Sequence, residues 1–186
     1  MLDVTIGEVT LQLRTEPGLF SPQRADAGTL AMLSVITFDP HDKVSDLGCG
    51  YGLVGVLAAH HVPPVRVVMI DNDPKAVAVA RRNANANGVP AVTVALSDGF
   101  KDTRETGFTK IITNPPYHVD FSLPKHFIEK GFNRLVLGGT MWMVTKRPSW
   151  YRNKLGAIFG GCRVHEINGY YVLAATKVRS SYARSR

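Results

Sequence analysis

Apolar and polar positions follow two different periods at the start of the chain. In residues 8–14, EVTLQLR, every second position is apolar, which predicts a half-buried strand. A turn-rich loop, GLFSPQ, follows at 18–23. Apolar residues then recur at helical spacing over 26–37, which predicts a helix with one apolar face.

From residue 43 onward, short apolar segments alternate with helical ones. The predicted strands cover 43–48, 65–71, 91–98, 109–114 and 139–146, and the predicted helices cover 52–60, 74–88, 122–137 and 149–159. Asp73 followed by Pro74 is typical of a helix start, because the carboxylate caps free N–H groups. Asn168-Gly169 separates two last strand-like runs, 163–167 and 170–177, which predicts a hairpin.

This order of elements predicts an α/β fold. A βαβα series implies a mostly parallel sheet with helices on both faces, and the hairpin adds an antiparallel strand. The 186 residues suit a single domain, predicted over 1–178 with 1–40 as its N-terminal extension. Residues 179–186 are predicted to form a flexible basic tail. In such a sheet, a ligand binds at the carboxyl ends of the strands.

Composition narrows the class of protein. Hydrophobic residues make up 45% of the chain, but no apolar run reaches the length of a membrane span. The two cysteines, Cys49 and Cys162, give neither a disulfide framework nor a metal-site spacing. We therefore expect a cytoplasmic protein that has no metal and no membrane partner.

The charge is uneven along the chain, whose formal net charge is +7. Residues 1–120 hold 10 Lys and Arg against 13 Asp and Glu, whereas residues 121–186 hold 12 against 2. This asymmetry favours a face that binds a polyanion such as a nucleic acid, although a solvated surface with a basic tail would also account for it. Four cations follow the fifth predicted strand of the series and are candidates for phosphate contacts or for a solvated helix start: Lys146, Arg147, Arg152 and Lys154.

A glycine-rich loop follows the first strand of the series, in VSDLGCGYGLVG at 44–55. Residues 50–55 fit the dinucleotide pattern G-x-G-x-x-G, with Asp71 as a ribose contact. Asp46-x-Gly48-x-Gly50, however, resembles motif I of the class I S-adenosylmethionine-dependent methyltransferases. The resemblance implies a Rossmann-like, seven-stranded sheet and S-adenosyl-L-methionine as cofactor. It also implies that Asp46, Gly48, Cys49 and Gly50 border the methionine part of the cofactor.

Acidic residues end the next two strands. By the same resemblance Asp71 binds the ribose hydroxyls, Asn72 lines the adenine, and Asp98 accepts a hydrogen bond from the adenine amino group. The alternative is that such acids only cap the helices that follow them. Three strand-end acids in order, with glycines between the first two, favour a nucleoside cofactor.

The fourth strand of the series ends in Asn114-Pro115-Pro116-Tyr117, which resembles motif IV of methyltransferases that modify exocyclic or amide nitrogens. The Asn114 side-chain oxygen and the Pro115 carbonyl each accept one N–H of the target amine, and Tyr117 stacks on a flat base. The alternative is a proline turn with a surface tyrosine.

The sequence is most similar to small-domain methyltransferases that make N2-methylguanine in ribosomal RNA. The resemblance covers 18–177 and includes GLFSPQRADAGTLAML, NPPYH, GTMWMVTK and NGYYVLAATK. It implies that Phe20 walls the base pocket, that Thr29 lies near the cofactor carboxylate, and that His118 contacts substrate. Ribosomal RNA is the implied partner. Methylation of a protein glutamine amide or of adenine N6, or an inactive RNA-binding relative, are the alternatives.

Overall fold

A computed structural model of the chain describes residues 1–115 and 121–182. Its strands are β1 (Leu2–Ile6), β2 (Val9–Leu13), β3 (Val44–Leu47), β4 (Val67–Asp71), β5 (Thr93–Leu96), β6 (Phe108–Thr113), β7 (Leu135–Thr145), β8 (Arg163–Ile167) and β9 (Tyr170–Thr176). Its α-helices are α1 (Ala27–Leu33), α2 (Leu53–Ala58), α3 (Pro74–Ala86), α4 (Ser122–Arg134) and α5 (Pro148–Phe159).

Strands β3 to β9 form a seven-stranded sheet in the order β5-β4-β3-β6-β7-β9-β8. Neighbours from β5 through to β7 are parallel, and β9 is antiparallel to both β7 and β8. The predicted α/β fold with an antiparallel C-terminal hairpin strand is therefore confirmed. Because strand order reverses between β3 and β6, their carboxyl ends leave a crevice at the usual ligand position of such sheets.

The sheet has a hydrophobic core on each face. Side chains of β4 alternate between the faces: Val67 and Met69 join a cluster that includes residues of α1, α2 and α3, whereas Val68 and Ile70 join residues of α4 and α5. This alternation explains why β4 is apolar from Val67 to Ile70, as expected of a strand that is buried on both sides. Helices thus cover both faces, as predicted.

An N-terminal hairpin of β1 and β2 attaches to α3 through two asparagine side chains. Asn83 accepts from the Arg14 N–H and donates to the Arg14 carbonyl, and Asn87 does the same for Gln12. Each amide therefore satisfies the free edge of β2 as a neighbouring strand would. This attachment fixes the start of the loop that leads over the ligand crevice to α1.

One strand was missed, and two predicted helix ends are wrong. A strand is predicted over 8–14 alone, but Leu2–Ile6 forms a second strand that pairs with β2. The helix predicted over 26–37 ends at Leu33, because the Ser34 hydroxyl bonds the Ala31 carbonyl and β-branched residues follow. The helix predicted to residue 137 ends at Arg134, since Leu135 pairs with Phe108 of β6 and begins β7 there.

The first residues of the predicted tail contact the domain. Arg179 donates to the carbonyls of Ala157 and Ile158 near the end of α5, and the Tyr182 ring packs edge-on against Phe132. The last four residues, 183–186, lie outside the described residues.

Candidate active site

A cavity of about 240 Å³ lies at the carboxyl ends of β3, β4 and β6 and beside the loop after β5. We call it the strand-end pocket. Eleven predicted site residues line it: Phe20, Thr29, Asp46, Gly48, Cys49, Gly50, Asp71, Asn72, Asp98, Asn114 and Pro115. The other two, Tyr117 and His118, lie outside the described residues. Residues scattered over nearly 100 positions of sequence thus border one cavity.

The glycine loop after β3 runs close to the pocket. The N–H groups of Gly48 and Cys49 both donate to the Ile70 carbonyl, at 2.8 and 2.9 Å, which ties the loop to the end of β4. Gly48 and Gly50 have φ values of +74° and +55°, a region that favours glycine. A side chain at either position would strain this backbone, and the glycines leave the loop open toward the cavity.

Asp46 is buried beneath this loop, with 3% of its surface exposed. Its Oδ2 accepts the Gly55 N–H at 2.8 Å. Burial raises the pKa of Asp46 to about 7 and the Asp71 charge adds to the rise, while the Gly55 hydrogen bond opposes it. Such a carboxylate gains stability from a cation placed in the neighbouring pocket.

Asp71 has both carboxylate oxygens fixed. Oδ2 accepts the Gly50 N–H at 2.8 Å, and Oδ1 accepts the Asp73 N–H at 3.0 Å. Each oxygen of a carboxylate accepts more than one hydrogen bond, so capacity remains for a pair of ligand hydroxyls. Asn72 and Asp98 are exposed at the edge of the pocket. Asp73 caps α3 through the Lys75 N–H, as predicted.

Asn114, at the end of β6, faces the start of α1. Its Nδ2 donates to Asp26 Oδ1 at 2.7 Å and to Thr29 Oγ1 at 2.9 Å. The opposite atom of the amide, Oδ1, is buried and has no hydrogen-bond partner among residues 1–115 and 121–182. An orphaned acceptor of this kind costs free energy unless a ligand supplies a donor.

The loop between β2 and α1 covers one side of the pocket. Gly18, Leu19 and Phe20 line the cavity, and Phe20 is 46% exposed. The loop is held by Glu16, whose carboxylate pairs with Arg82 at 2.5 Å and with Lys75 at 3.8 Å.

Two side chains that line the pocket, Cys49 and Tyr51, are unreactive. Burial, followed by the charges of Asp46 and Asp71, raises the pKa of the Cys49 thiol well above its ordinary value, so it is a poor nucleophile. Burial also raises the pKa of Tyr51 to about 12. Tyr51 and Asp26 line the pocket but are not among the predicted site residues. The helix-start sequence Asp-Ala-Gly-Thr marks Asp26 only as a cap.

Two cations follow the carboxyl end of β7, and two aromatic rings stack nearby at the starts of α4 and α5. We call this group the β7 rim: Phe121, Lys146, Arg147 and Trp150. Lys146 and Arg147 are exposed, and the Lys146 ammonium lies 5.0 Å from the centre of the Tyr170 ring. Phe121 stacks on Trp150 with ring centres 4.4 Å apart.

Other cations of the basic C-terminal third are used within the fold. Lys154, a candidate for either a phosphate contact or a solvated helix start, pairs with Glu129 at 2.5 Å and so has an intramolecular partner. Arg134 donates to three loop carbonyls, of Phe100, Thr103 and Glu105, and Lys177 donates to the Leu135 carbonyl. The excess of positive charge in residues 121–186 therefore overstates the number of cations that are free to bind a partner.

Residues 1–115 and 121–182 contain no group of three or more His, Cys, Asp or Glu side chains placed to hold a metal ion. In the same ranges, no helix has the length and apolar character needed to cross a membrane.

Residues 10–174 match the protein family described as "Methyltransferase small domain". The chain belongs to this family. Its curated relatives include the "Ribosomal RNA small subunit methyltransferase C" of Pseudomonas putida strain GB-1, which is 30% identical over 179 residues. They also include the "Ribosomal RNA large subunit methyltransferase G" of Klebsiella pneumoniae, which is 30% identical over 175 residues.

The fold of the small-domain family recurs in a solved relative from T. thermophilus. That structure is a 16S rRNA N2 G1207 methyltransferase (RsmC) in complex with AdoMet and guanosine, with a TM-score of 0.83 and 27% identity. The matched region covers 94% of this chain and 49% of the T. thermophilus chain. The chain likewise covers 53% of the P. putida relative and 46% of the K. pneumoniae relative, so it spans about half the length of each.

Proposed function

We propose that this chain is an S-adenosylmethionine-dependent N-methyltransferase that acts on an exocyclic amino group of RNA, specifically guanine N2 of ribosomal RNA. One observation carries the proposal: Asn114 lines the same pocket as the strand-end acids, and its buried Oδ1 has no hydrogen-bond partner among the described residues. A buried acceptor that lacks a donor suits an amine ligand, because the amine supplies N–H groups. The names of the relatives and the guanosine and AdoMet of the T. thermophilus structure support the choice of base and cofactor.

The lining residues suit a cationic nucleoside cofactor. Asp71 retains acceptor capacity for two ribose hydroxyls, and exposed Asp98 and Asn72 border the side where the adenine would lie. Asp46, whose pKa is raised to about 7, would be stabilised as an anion by the ammonium or sulfonium charge of a bound cofactor. Gly48 and Gly50 let the methionine part pass close to the backbone. Thr29 and Cys49 line the same cavity.

The chain's own part in the reaction is to hold and polarise the amine. Bound S-adenosylmethionine would supply an electrophilic methyl group. Asn114 Oδ1 and the Pro115 carbonyl would accept the two N–H groups of the base, which turns the nitrogen lone pair toward the methyl carbon. As the N–C bond forms and the C–S bond breaks, the two acceptors stabilise the positive charge on nitrogen. The methylated nitrogen then loses one proton to solvent.

RNA would reach the pocket across the β7 rim. Thr113 of β6 pairs with Met143 of β7, so Lys146 and Arg147 leave the sheet at the same edge as Asn114. Exposed cations beside stacked rings are typical of surfaces that bind single-stranded nucleic acid. Phe20 would wall the base pocket. Tyr117 and His118, which lie outside the described residues, stay the predicted substrate contacts.

The proposal is tested by incubating the chain with radiolabelled S-adenosylmethionine and unmethylated 16S or 23S rRNA transcribed in vitro. We expect label in N2-methylguanosine after digestion to nucleosides. Asn114→Ala should lower kcat by about 100- to 1,000-fold while leaving cofactor affinity unchanged, because it removes a transition-state contact. Label found in N6-methyladenosine would identify adenine as the target base. Label found in added ribosomal protein would identify a protein amide as the target. Undiminished turnover by Asn114→Ala would refute the mechanism.

A further inference from the structure

Asp26, at the start of α1, lies against the amide of Asn114, at the end of β6. We propose that Asp26 is the positioning residue for Asn114, because it fixes which atom of the amide faces the target amine. The inference rests on the proposed function for the role of Asn114, and it extends the site to a residue 88 positions away in sequence.

One carboxylate oxygen organises this corner of the pocket. Asp26 Oδ1 accepts the Thr29 N–H at 2.8 Å, the Thr29 hydroxyl at 3.2 Å and the Asn114 amide at 2.7 Å. The first of these bonds is the N-cap of α1, so the position of the oxygen is set by the helix backbone. Asn114 therefore takes its orientation from a rigid element of the fold.

The chemistry of the carboxylate permits only one orientation. An ionised carboxylate accepts hydrogen bonds and donates none, so it must face the NH₂ end of the Asn114 amide. The Thr29 hydroxyl also contacts Nδ2, at 2.9 Å, but a hydroxyl donates as readily as it accepts and would tolerate a reversed amide. A reversed amide would present N–H groups to an amine that itself supplies N–H groups. Asp26 thus prevents an orientation that would leave the amine without its acceptor.

Two substitutions at this position separate capping from positioning. Asp26→Ser retains a cap for the Thr29 N–H but is too short to reach Asn114, whereas Asp26→Asn retains an oxygen that caps the helix and accepts from Asn114. We expect Asp26→Ser to lower kcat by about 100-fold with KM for S-adenosylmethionine unchanged, and Asp26→Asn to stay within about tenfold of wild type. An unchanged kcat in Asp26→Ser, or an equal loss in both variants, would overturn the inference.

A second readout does not depend on turnover. In the ¹⁵N-labelled protein, the side-chain NH₂ protons of Asn114 should exchange slowly with solvent in wild type and Asp26→Asn, and fast in Asp26→Ser. The Asn114 signals are assigned by their loss in Asn114→Ala. Equal exchange in all three proteins would show that Asp26 does not hold the amide. If wild type neither binds the cofactor nor methylates RNA, the proposed function fails, yet the exchange measurement still decides the Asp26–Asn114 contact.

Discussion

The carboxylate of Asp71 accepts the backbone N–H of Gly50 at 2.8 Å, and this bond joins the ends of two neighbouring strands. The contact holds the glycine loop and the Asp71 carboxylate in a fixed relative position. A ligand that contacts both therefore needs no rearrangement of either. Because the second oxygen is held by the Asp73 N–H, the carboxylate plane does not need to reorganise when a diol binds. Preorganisation of this kind reduces the entropy lost on binding.

We therefore predict that Asp71→Ala weakens S-adenosylmethionine binding by about 100-fold or more. The change would remove the two charge-assisted hydrogen bonds that we propose Asp71 makes to the ribose, each worth about 1.5–3 kcal/mol, and it would free the Gly50 loop. Isothermal titration calorimetry measures the affinity. Asp3→Ala, which changes an exposed side chain of strand β1 that does not line the pocket, removes the same charge and should leave affinity unchanged. Binding that survives Asp71→Ala would remove this residue from the cofactor site.

Local sequence patterns were sufficient to predict the strand-end acids. Asp71 directly follows an apolar run, and Asp46 and Asp98 lie within or just after the neighbouring strands β3 and β5. Because carboxyl ends of parallel strands gather at one edge of a sheet, the convergence of these acids could be predicted. The contact between Asp26 and Asn114 could not, because 88 residues separate them and no local pattern encodes which amide atom faces the carboxylate.

The missed strand and the misplaced boundary have similar causes. The alternation of Leu2–Ile6 is only five residues long, and it becomes a strand because β2 supplies a pairing partner. Leu135 continues the helical spacing of Phe132, and only its pairing with Phe108 ends the helix. Tertiary hydrogen bonds decided both positions, and local propensity could not indicate them.

Asp46 predicts a pH dependence of cofactor binding. Because its pKa is about 7 in the free protein, the carboxylate is mostly protonated at pH 6 and mostly ionised at pH 8. A cationic cofactor favours the ionised form, so affinity should be about tenfold weaker at pH 6 than at pH 8, with proton release on binding at the lower pH. Calorimetry in two buffers of different ionisation enthalpy measures both effects. The pH dependence should disappear in Asp46→Asn, and its persistence there would assign it to another group.

The same raised pKa predicts how the stability of the ligand-free protein varies with pH. An aspartate whose pKa is higher in the folded than in the unfolded state keeps its proton longer when folded. The free energy of unfolding should therefore fall as pH rises from about 4 to 7, and Asp46→Asn should remove this contribution. Urea denaturation at several pH values compares the two proteins. Identical pH profiles would indicate that Asp46 ionises normally in the fold.

Gly55 is predicted to tolerate no side chain. A Cβ at this position would lie 2.3 Å from Met69 Cγ and 2.4 Å from its Sδ, where α2 packs on β4. We expect Gly55→Ala to lower the free energy of unfolding by about 1–3 kcal/mol in urea denaturation, because overpacking displaces Met69. Gly156→Ala in α5, where a Cβ meets nothing within 4 Å, should be neutral or stabilising by up to about 1 kcal/mol. Equal stability of the two variants would contradict the close approach of α2 to β4.

The β7 rim predicts how RNA affinity depends on salt. If Lys146 and Arg147 each neutralise one phosphate of a single strand, the double change to Gln should reduce the slope of log affinity against log salt by about 1.4. Fluorescence anisotropy with a labelled single-stranded fragment of 16S rRNA, from 50 to 300 mM KCl, measures the slope.

The matched control removes two exposed cations from the opposite edge of the sheet. Arg66 precedes β4, and Arg163 is the first residue of β8. Both strands run parallel to β7, so the two arginines lie at the amino ends of the strands, away from the pocket edge. Arg66→Gln with Arg163→Gln lowers the net charge equally, and we expect it to leave the slope nearly unchanged. Equal reductions in both double variants would mean that RNA senses the net charge of the protein and does not dock on the rim beside Asn114.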